Sequence, residues 1–245
     1  MPGAEPAEAA LGGAKSHSGL AADPTYRVRV THLVWDWNGT LLDDLALVVA
    51  ATNASLALAG GPPITAEEHR RDFRRPIEAY YAGVLGRPLR ADEFVGLDRT
   101  FHDAYDAGFA SIALADGALD ALQSWVGTQS LLSMWFHDQL VPAVDRHGLA
   151  RHFRRVDGLR AEVGGGHKAP HLAAHLAAMG VDGVDCVMIG DSVDDALAAA
   201  SVGARCVLYS GGFTDAVRLA EVGVPVVDSL IEAVAIAAAT ESARA

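Results

Sequence analysis

Lysine is almost missing from this chain. Lys15 and Lys168 are the only two in 245 residues, and every other fixed positive side chain is arginine. Positive charge is short as well: the formal net charge is -12. A chain this acidic repels nucleic acid and anionic lipid, so neither is expected as a partner, and a small anionic ligand would need a local positive site or a divalent metal. Cysteine is limited to Cys186 and Cys206, each inside an apolar run and without C-x-x-C spacing. That excludes a disulfide framework or a cysteine metal centre and predicts reduced, buried thiols in a cytoplasmic protein. No apolar run approaches the length of a membrane span, and the first residues lack a charged stretch followed by a long apolar one. The expectation is a cytoplasmic monomer or homodimer.

What is there suits an α/β fold. Half the residues are apolar (51%), enough for one large domain or a core with a smaller insertion. Residues 1–25, rich in Ala, Gly, Pro and Ser, predict a flexible tail or an over-extended start. The run Arg27 to Trp37 is β-branched and aromatic and ends at Asn38-Gly39, which predicts a strand and a tight loop. A buried helix is expected from Asp44 to Ala59, closed by Gly60-Gly61-Pro62. Residues from Thr65 to about Ala115 hold much of the Arg, Tyr and Phe at helical spacing and read as an inserted helical subdomain. Strands then follow at Ser130–Met134, Phe153–Asp157, Cys186–Ile189, Cys206–Tyr209 and Val226–Val227. Helices are expected between them at Gln139–His147, Pro170–Met179, Val193–Ser201, Asp215–Glu221 and Leu230–Ala239. This alternation predicts a Rossmann-like, doubly wound parallel sheet, with ligands at the carboxyl ends of the strands. The domain boundaries expected are 26–44 and 116–245 for the core and 45–115 for a helical cap.

Reactive groups fall at those strand ends. Asp36 closes the first strand and Ser133 ends the strand Leu131-Leu132-Ser133; Lys168 follows Gly164-Gly165-Gly166-His167; Asp191 ends a later strand, with Asp195 one turn into the next helix. A carboxylate nucleophile, a hydroxyl, an ammonium and an acidic pair for a hard cation are what phosphoryl transfer through an aspartyl phosphate requires. Lys168 adds to the pattern, because a chain that otherwise uses arginine keeps here a compact point donor.

Asp36-Trp37-Asn38-Gly39-Thr40-Leu41, Ser133, Lys168 and Gly190-Asp191-Ser192-Val193-Asp194-Asp195 resemble, in order, the four motifs of the haloacid dehalogenase superfamily. The insertion resembles the cap of its phosphoglycolate-phosphatase-like members. The resemblance implies a Mg²⁺-dependent phosphatase acting on a small phosphorylated metabolite. It makes Asp36 the nucleophile and a metal ligand, with the Asn38 main-chain carbonyl, Asp191 and Asp195 completing the metal site. It places Ser133 and Lys168 on the phosphate, with Gly39 and Thr40 shaping the loop around it.

The chain departs from that pattern at Asn38, where phosphatases of the superfamily have the Asp that moves the proton. An amide cannot exchange a proton at neutral pH, and such help is typically worth about 10²–10⁴ in rate. Three outcomes stay open: hydrolysis of undemanding leaving groups or with a replacement base (His32, His137, Asp43 or Asp44), a long-lived phosphoaspartate, or binding with little turnover. The absence of lysine between residues 41 and 132 excludes a Schiff-base phosphonatase. A metal-free dehalogenase sits badly with Asp191, Asp194 and Asp195 together.

In the insertion, Arg74 or Arg75 would hold an anionic substrate tail. Tyr80, Tyr81, Phe101 and Tyr105 are expected in the core of the insertion rather than as a substrate platform. His171 and His175, four apart, are expected on a surface helix face.

Overall fold

The structure is a computed structural model that describes residues 32–161 and 163–239. The tail expected over 1–25 and the start of the first strand lie outside the described residues. Strand β1 runs His32–Trp35 and β2 Thr128–Phe136; β3 is Val156–Leu159, β4 Cys186–Gly190, β5 Arg205–Tyr209 and β6 Val226–Val227. They form a parallel sheet in the order β3-β2-β1-β4-β5-β6. The order reverses between β1 and β4, so the chain leaves those two neighbours in opposite directions and opens a crevice beyond their carboxyl ends.

β1 is central and wholly buried, and its side chains alternate between two cores. Leu33 and Trp35 face the larger cluster, whereas Val34 faces a second one built with Leu172, Leu176 and Ala198. Full burial of such a side chain is worth about 1.5–3 kcal/mol, which fixes the strand that carries Asp36.

Helices cover both faces. α5 (Ala118–Ser124), α6 (His137–Arg146) and α10 (Leu230–Ala239) supply the larger cluster. α7 (Ala169–Met179), α8 (Val193–Ser201) and α9 (Ala216–Ala220) supply the smaller. α1 (Leu45–Leu58), α2 (Ala66–Asp72), α3 (Ile77–Leu85) and α4 (Ala91–Gly108) all fall between β1 and β2. At their base the chain leaves and returns side by side: Asp43 N donates to Ala113 O (3.1 Å) and Ala115 N to Leu41 O (2.9 Å).

Most expected elements form within a residue or two of their predicted ends. β2 is longer than expected, because Trp135 continues the buried face of the strand. β3 starts three residues late, at Val156. The helix at 118–124 was not foreseen; it is short and starts after Gly117 at φ 69°, and Ala118, Ala121 and Leu122 bury its inner side. His175 corrects the surface reading of the 171/175 pair. It is buried, with Nδ1 2.7 Å from Asp157 Oδ2 and Nε2 2.8 Å from Ser130 Oγ, while His171 stays exposed. Cys186 and Cys206 are buried free thiols, as expected.

Candidate active site

Asp36 leaves β1 with its N–H bonded to Ile189 O of β4 (2.9 Å), so the two central strands set its position. The chain then turns tightly on the Trp37 carbonyl, which accepts from Leu41 N (2.9 Å) and Leu42 N (3.0 Å). Gly39 has φ +73°, and a Cβ there would lie 2.5 Å from Asp191 Oδ2. Only glycine lets the turn approach Asp191 this closely. Thr40 Oγ1 donates to Asp191 Oδ1 (3.0 Å) and Phe213 N to Asp191 Oδ2 (2.6 Å), which pins that carboxylate between the two strand ends.

Asp195 sits in the first turn of α8 in a reciprocal cap. Its Oδ2 accepts from Ser192 N (3.0 Å) and Ser192 Oγ (2.7 Å), and Oδ1 faces Lys168 Nζ. Lys168 Nζ also lies 2.8 Å from Asp36 Oδ1. Lys168 is 2% exposed, so this ammonium has traded water for carboxylates. Burial alone would lower its pKa, but Asp195 and Asp36 outweigh burial and raise it. Burial raises Asp36 to about 6 against the pull of Lys168, with Asp195 adding to the rise. Asp191 is pushed well above the usual carboxylate range by burial, then by Asp36 and Asp195.

Asp36 and Asp195 therefore share one ammonium while Asp191 beside them has none, leaving an excess negative charge that burial makes unfavourable. Asp36, Asp191 and Asp195 each offer an oxygen, and these oxygens lie within 4.8 Å of one another. A hard cation with metal–oxygen distances of about 2.0–2.1 Å draws such oxygens to about 4 Å or less, so the donor set fits Mg²⁺ after a small contraction. Asp194 does not belong to the cluster. Its carboxylate turns to the start of α7, accepting from Lys168 N (2.8 Å) and lying 2.9 Å from His167 Nδ1.

Asn38 is held on three sides. Nδ2 donates to Asp44 Oδ2 (2.8 Å) and to Tyr105 Oη (2.8 Å), and Oδ1 accepts from Ser133 Oγ (3.2 Å). Tyr105, on α4, donates in turn to Asp44 Oδ2 (2.7 Å), and Gly39 N donates to Asp44 Oδ1 (2.8 Å). Asp44 is fully buried and lies behind the amide, away from the cleft. The sequence marked Asp44 as a replacement base; its position makes it an anchor instead. The other three, His32, His137 and Asp43, line neither of the cavities at the strand ends. His32 is buried between Thr128 Oγ1 (2.7 Å) and Ser130 Oγ (2.8 Å), His137 bonds Gly158 N (3.3 Å), and Asp43 is exposed.

A polar pocket at the strand ends is lined by Asp36, Asn38, Ser133, Lys168 and Asp191. It adjoins a larger chamber of about 100 Å³, where one water needs about 10–15 Å³. Asn38, Phe73, Arg75, Met134 and Phe213 line both. Arg75 Nη1 donates to Gly166 O (3.0 Å), holding its guanidinium at this shared wall. Arg74, the other candidate, is exposed, bonds Asp72 O (3.1 Å) and lines neither cavity. Tyr80, Tyr81, Phe101 and Tyr105 pack into the insertion as expected, yet their rings also line the chamber. The sequence could not separate those roles, because a ring between a core and a cavity has the same spacing as one in a core.

Comparisons with known proteins agree with this geometry. A family model described as HAD-hydrolase-like matches residues 164–233. The chain is 32% identical over 191 residues to a phosphoglycolate phosphatase of Caulobacter vibrioides, covering 75% of this chain and 80% of that protein. It is 29% identical over 218 residues to phosphoglycolate phosphatase 1 of Pseudomonas aeruginosa, covering 82% and 77%. The fold is similar to that of a haloacid dehalogenase-like hydrolase from Streptococcus pneumoniae, with TM-score 0.73 at 19% identity, covering 84% of this chain and 98% of that one.

Proposed function

The chain belongs to the haloacid dehalogenase-like hydrolases, and from that premise we propose that it is a Mg²⁺-dependent phosphatase of a small phosphate monoester, working through an aspartyl phosphate on Asp36. The observation that carries this reading is Asp36 Oδ1 at 2.8 Å from the buried Lys168 ammonium, beside two further carboxylates and at the mouth of a polar pocket.

The roles follow from position. Asp36 attacks phosphorus. Lys168 neutralises charge on the transferring group and holds the nucleophile ionised. Ser133 Oγ, now donating to Asn38 Oδ1, turns its hydrogen to a phosphate oxygen when substrate arrives. Thr40 holds Asp191 in place, and Gly39 keeps the loop close enough to do so. Asp36, Asp191, Asp195 and the Asn38 main-chain carbonyl would hold Mg²⁺, which supplies charge neutralisation for phosphoryl transfer when bound.

The segment 45–115 serves as a cap. Its aromatic side chains roof the chamber, and Arg75 meets an anionic part of the substrate. Closure excludes water from the phosphoryl group and opening releases product.

The relatives are named for phosphoglycolate, and a small phosphorylated metabolite is the substrate class proposed for this chain. Hydrolysis of p-nitrophenyl phosphate with and without Mg²⁺, on wild type and Asp36→Asn, tests the reading. It predicts turnover that needs the metal and vanishes in Asp36→Asn. Turnover that survives that substitution would refute it.

A further inference from the structure

In-line displacement on an Asp36-bound phosphate puts the leaving oxygen on the far side of phosphorus, toward the wall shared by the polar pocket and the chamber. Two polar side chains stand on that wall, Asn38 and Arg75. A guanidinium does not release a proton in proteins. The amide cannot either, and its orientation is fixed: both N–H groups are taken by Asp44 and Tyr105. A half-turn of the amide would set its oxygen against the Asp44 carboxylate. Asn38 therefore shows the cleft only an acceptor. Elsewhere in the polar pocket, the Ser192 hydroxyl donates to Asp195, and Lys168 is paired with Asp36 and Asp195. The remaining ionisable chamber groups, His69, Asp98, His102 and the phenols of Tyr80, Tyr81 and Tyr105, line the chamber and not the polar pocket.

The transition state of phosphoryl transfer is loose: the bond to the leaving group is largely broken while the bond to the nucleophile is barely formed. Negative charge thus collects on the leaving oxygen, at a wall whose two polar side chains, Asn38 and Arg75, have no proton to transfer. The second step suffers much less, because its leaving group is the Asp36 carboxylate and its attacking water gives up its proton late. The chamber supplies a second, independent constraint. Rings of Phe73, Tyr80, Phe101, Tyr105, Trp135 and Phe213 line it, a wall suited to a flat, apolar group.

We infer that the substrate is an aryl phosphate, a phosphate ester of a phenol whose ring fills the chamber and whose oxygen departs unprotonated. The assignment rests on the Asp36 phosphatase reading. Asp36 attacks phosphorus, the P–O(aryl) bond breaks with its electron pair on the phenolate, and the phenolate takes its proton from solvent. Water then attacks the aspartyl phosphate at phosphorus, giving inorganic phosphate, regenerating the Asp36 carboxylate and releasing one proton to solvent. A phenol ionises near pH 10 and a simple alcohol nearer water's value of about 15.7, so the missing proton costs an alkyl ester far more.

The test is kcat/KM with Mg²⁺ for a series of aryl phosphates of graded leaving-group acidity, alongside glycerol phosphate and 2-phosphoglycolate. The expected result is a steep fall with rising leaving-group pKa, with alkyl esters at least about 100-fold below phenyl phosphate. The exchange Asn38→Asp with Asp44→Asn returns a carboxyl to the cleft and keeps an amide–carboxylate pair. It should raise the alkyl-to-aryl ratio by about 10²–10⁴. Should that variant fail to fold, the wild-type series alone decides. Turnover that disappears in Asp36→Asn but is as fast on 2-phosphoglycolate as on phenyl phosphate overturns the aryl assignment and leaves the phosphatase. Turnover of the alkyl esters with none of any aryl phosphate likewise overturns only the aryl assignment, and no turnover of any ester in the series overturns both.

Discussion

Asn38 gives one amide hydrogen to Asp44 across 2.8 Å, so a buried carboxylate dictates which end of the amide faces the cleft. Asp44 also takes hydrogens from Tyr105 and Gly39. Replacing Asp44 with Ala leaves three buried donors without an acceptor, at about 1–3 kcal/mol for an unsatisfied group. We expect a lower thermal midpoint and a drop in kcat larger than any change in KM, because the freed amide can turn a hydrogen toward Ser133. Thermal melts and steady-state kinetics on Asp44→Ala check both.

The carboxylate cluster predicts stabilisation by a divalent ion. At a Mg²⁺ concentration 100 times its Kd, the folded state should gain about 2.7 kcal/mol. Asp191→Asn removes one member of the cluster, and the Mg²⁺-dependent rise in melting temperature should shrink or vanish. A rise unchanged in Asp191→Asn would move the ion elsewhere.

His32 predicts a pH dependence of stability. Its pKa is lowered to about 4 by burial, with His175 and Arg154 adding repulsion, against 6.5 in an exposed histidine. The folded state resists protonation that the unfolded state accepts. This contribution is therefore complete above pH 6.5 and declines as pH falls toward 4. At pH 5 the loss is about 2 kcal/mol. Urea titrations at pH 7 and pH 5, with His32→Asn as the control that should flatten the difference, measure it.

Arg218 predicts how tightly the insertion is latched. Its Nη1 donates to Phe73 O (2.6 Å) and Arg71 O (3.0 Å), joining α9 to the end of α2. Hydrogen bonds of charged groups contribute about 1.5–3 kcal/mol. Arg218→Ala should speed amide exchange over residues 66–76 and raise KM, while β1 and β4 keep their protection. Exchange mass spectrometry reads both regions at once.

Much of this was legible in the residues. The alternation of apolar runs and turn signals marked the later elements, because strands buried on both faces must be continuously apolar. Asp36, Ser133, Lys168 and Asp191 were legible through topology: a parallel sheet brings strand ends together, however far apart they lie in the chain. Partnership was not. Nothing local distinguishes Asp194, which caps α7, from Asp195, which meets Lys168, because one helical step decides which way each points. Asp44 and Tyr105 could not be tied to Asn38, because Tyr105 arrives from 67 positions away on an inserted helix. His175 looked like a surface residue because its partners Ser130 and Asp157 come from other strands.

Tyr105 belongs to the inserted helices, yet its hydroxyl closes the triangle that holds Asn38 on the core. Lifting α4 from the sheet withdraws an acceptor from the amide and a donor from Asp44 in one movement. If the inserted helices open as the proposed cap, admission of substrate and the hydrogen-bonding state of the reaction centre would be wired to the same displacement: the doorway, when it swings, also resets the lock.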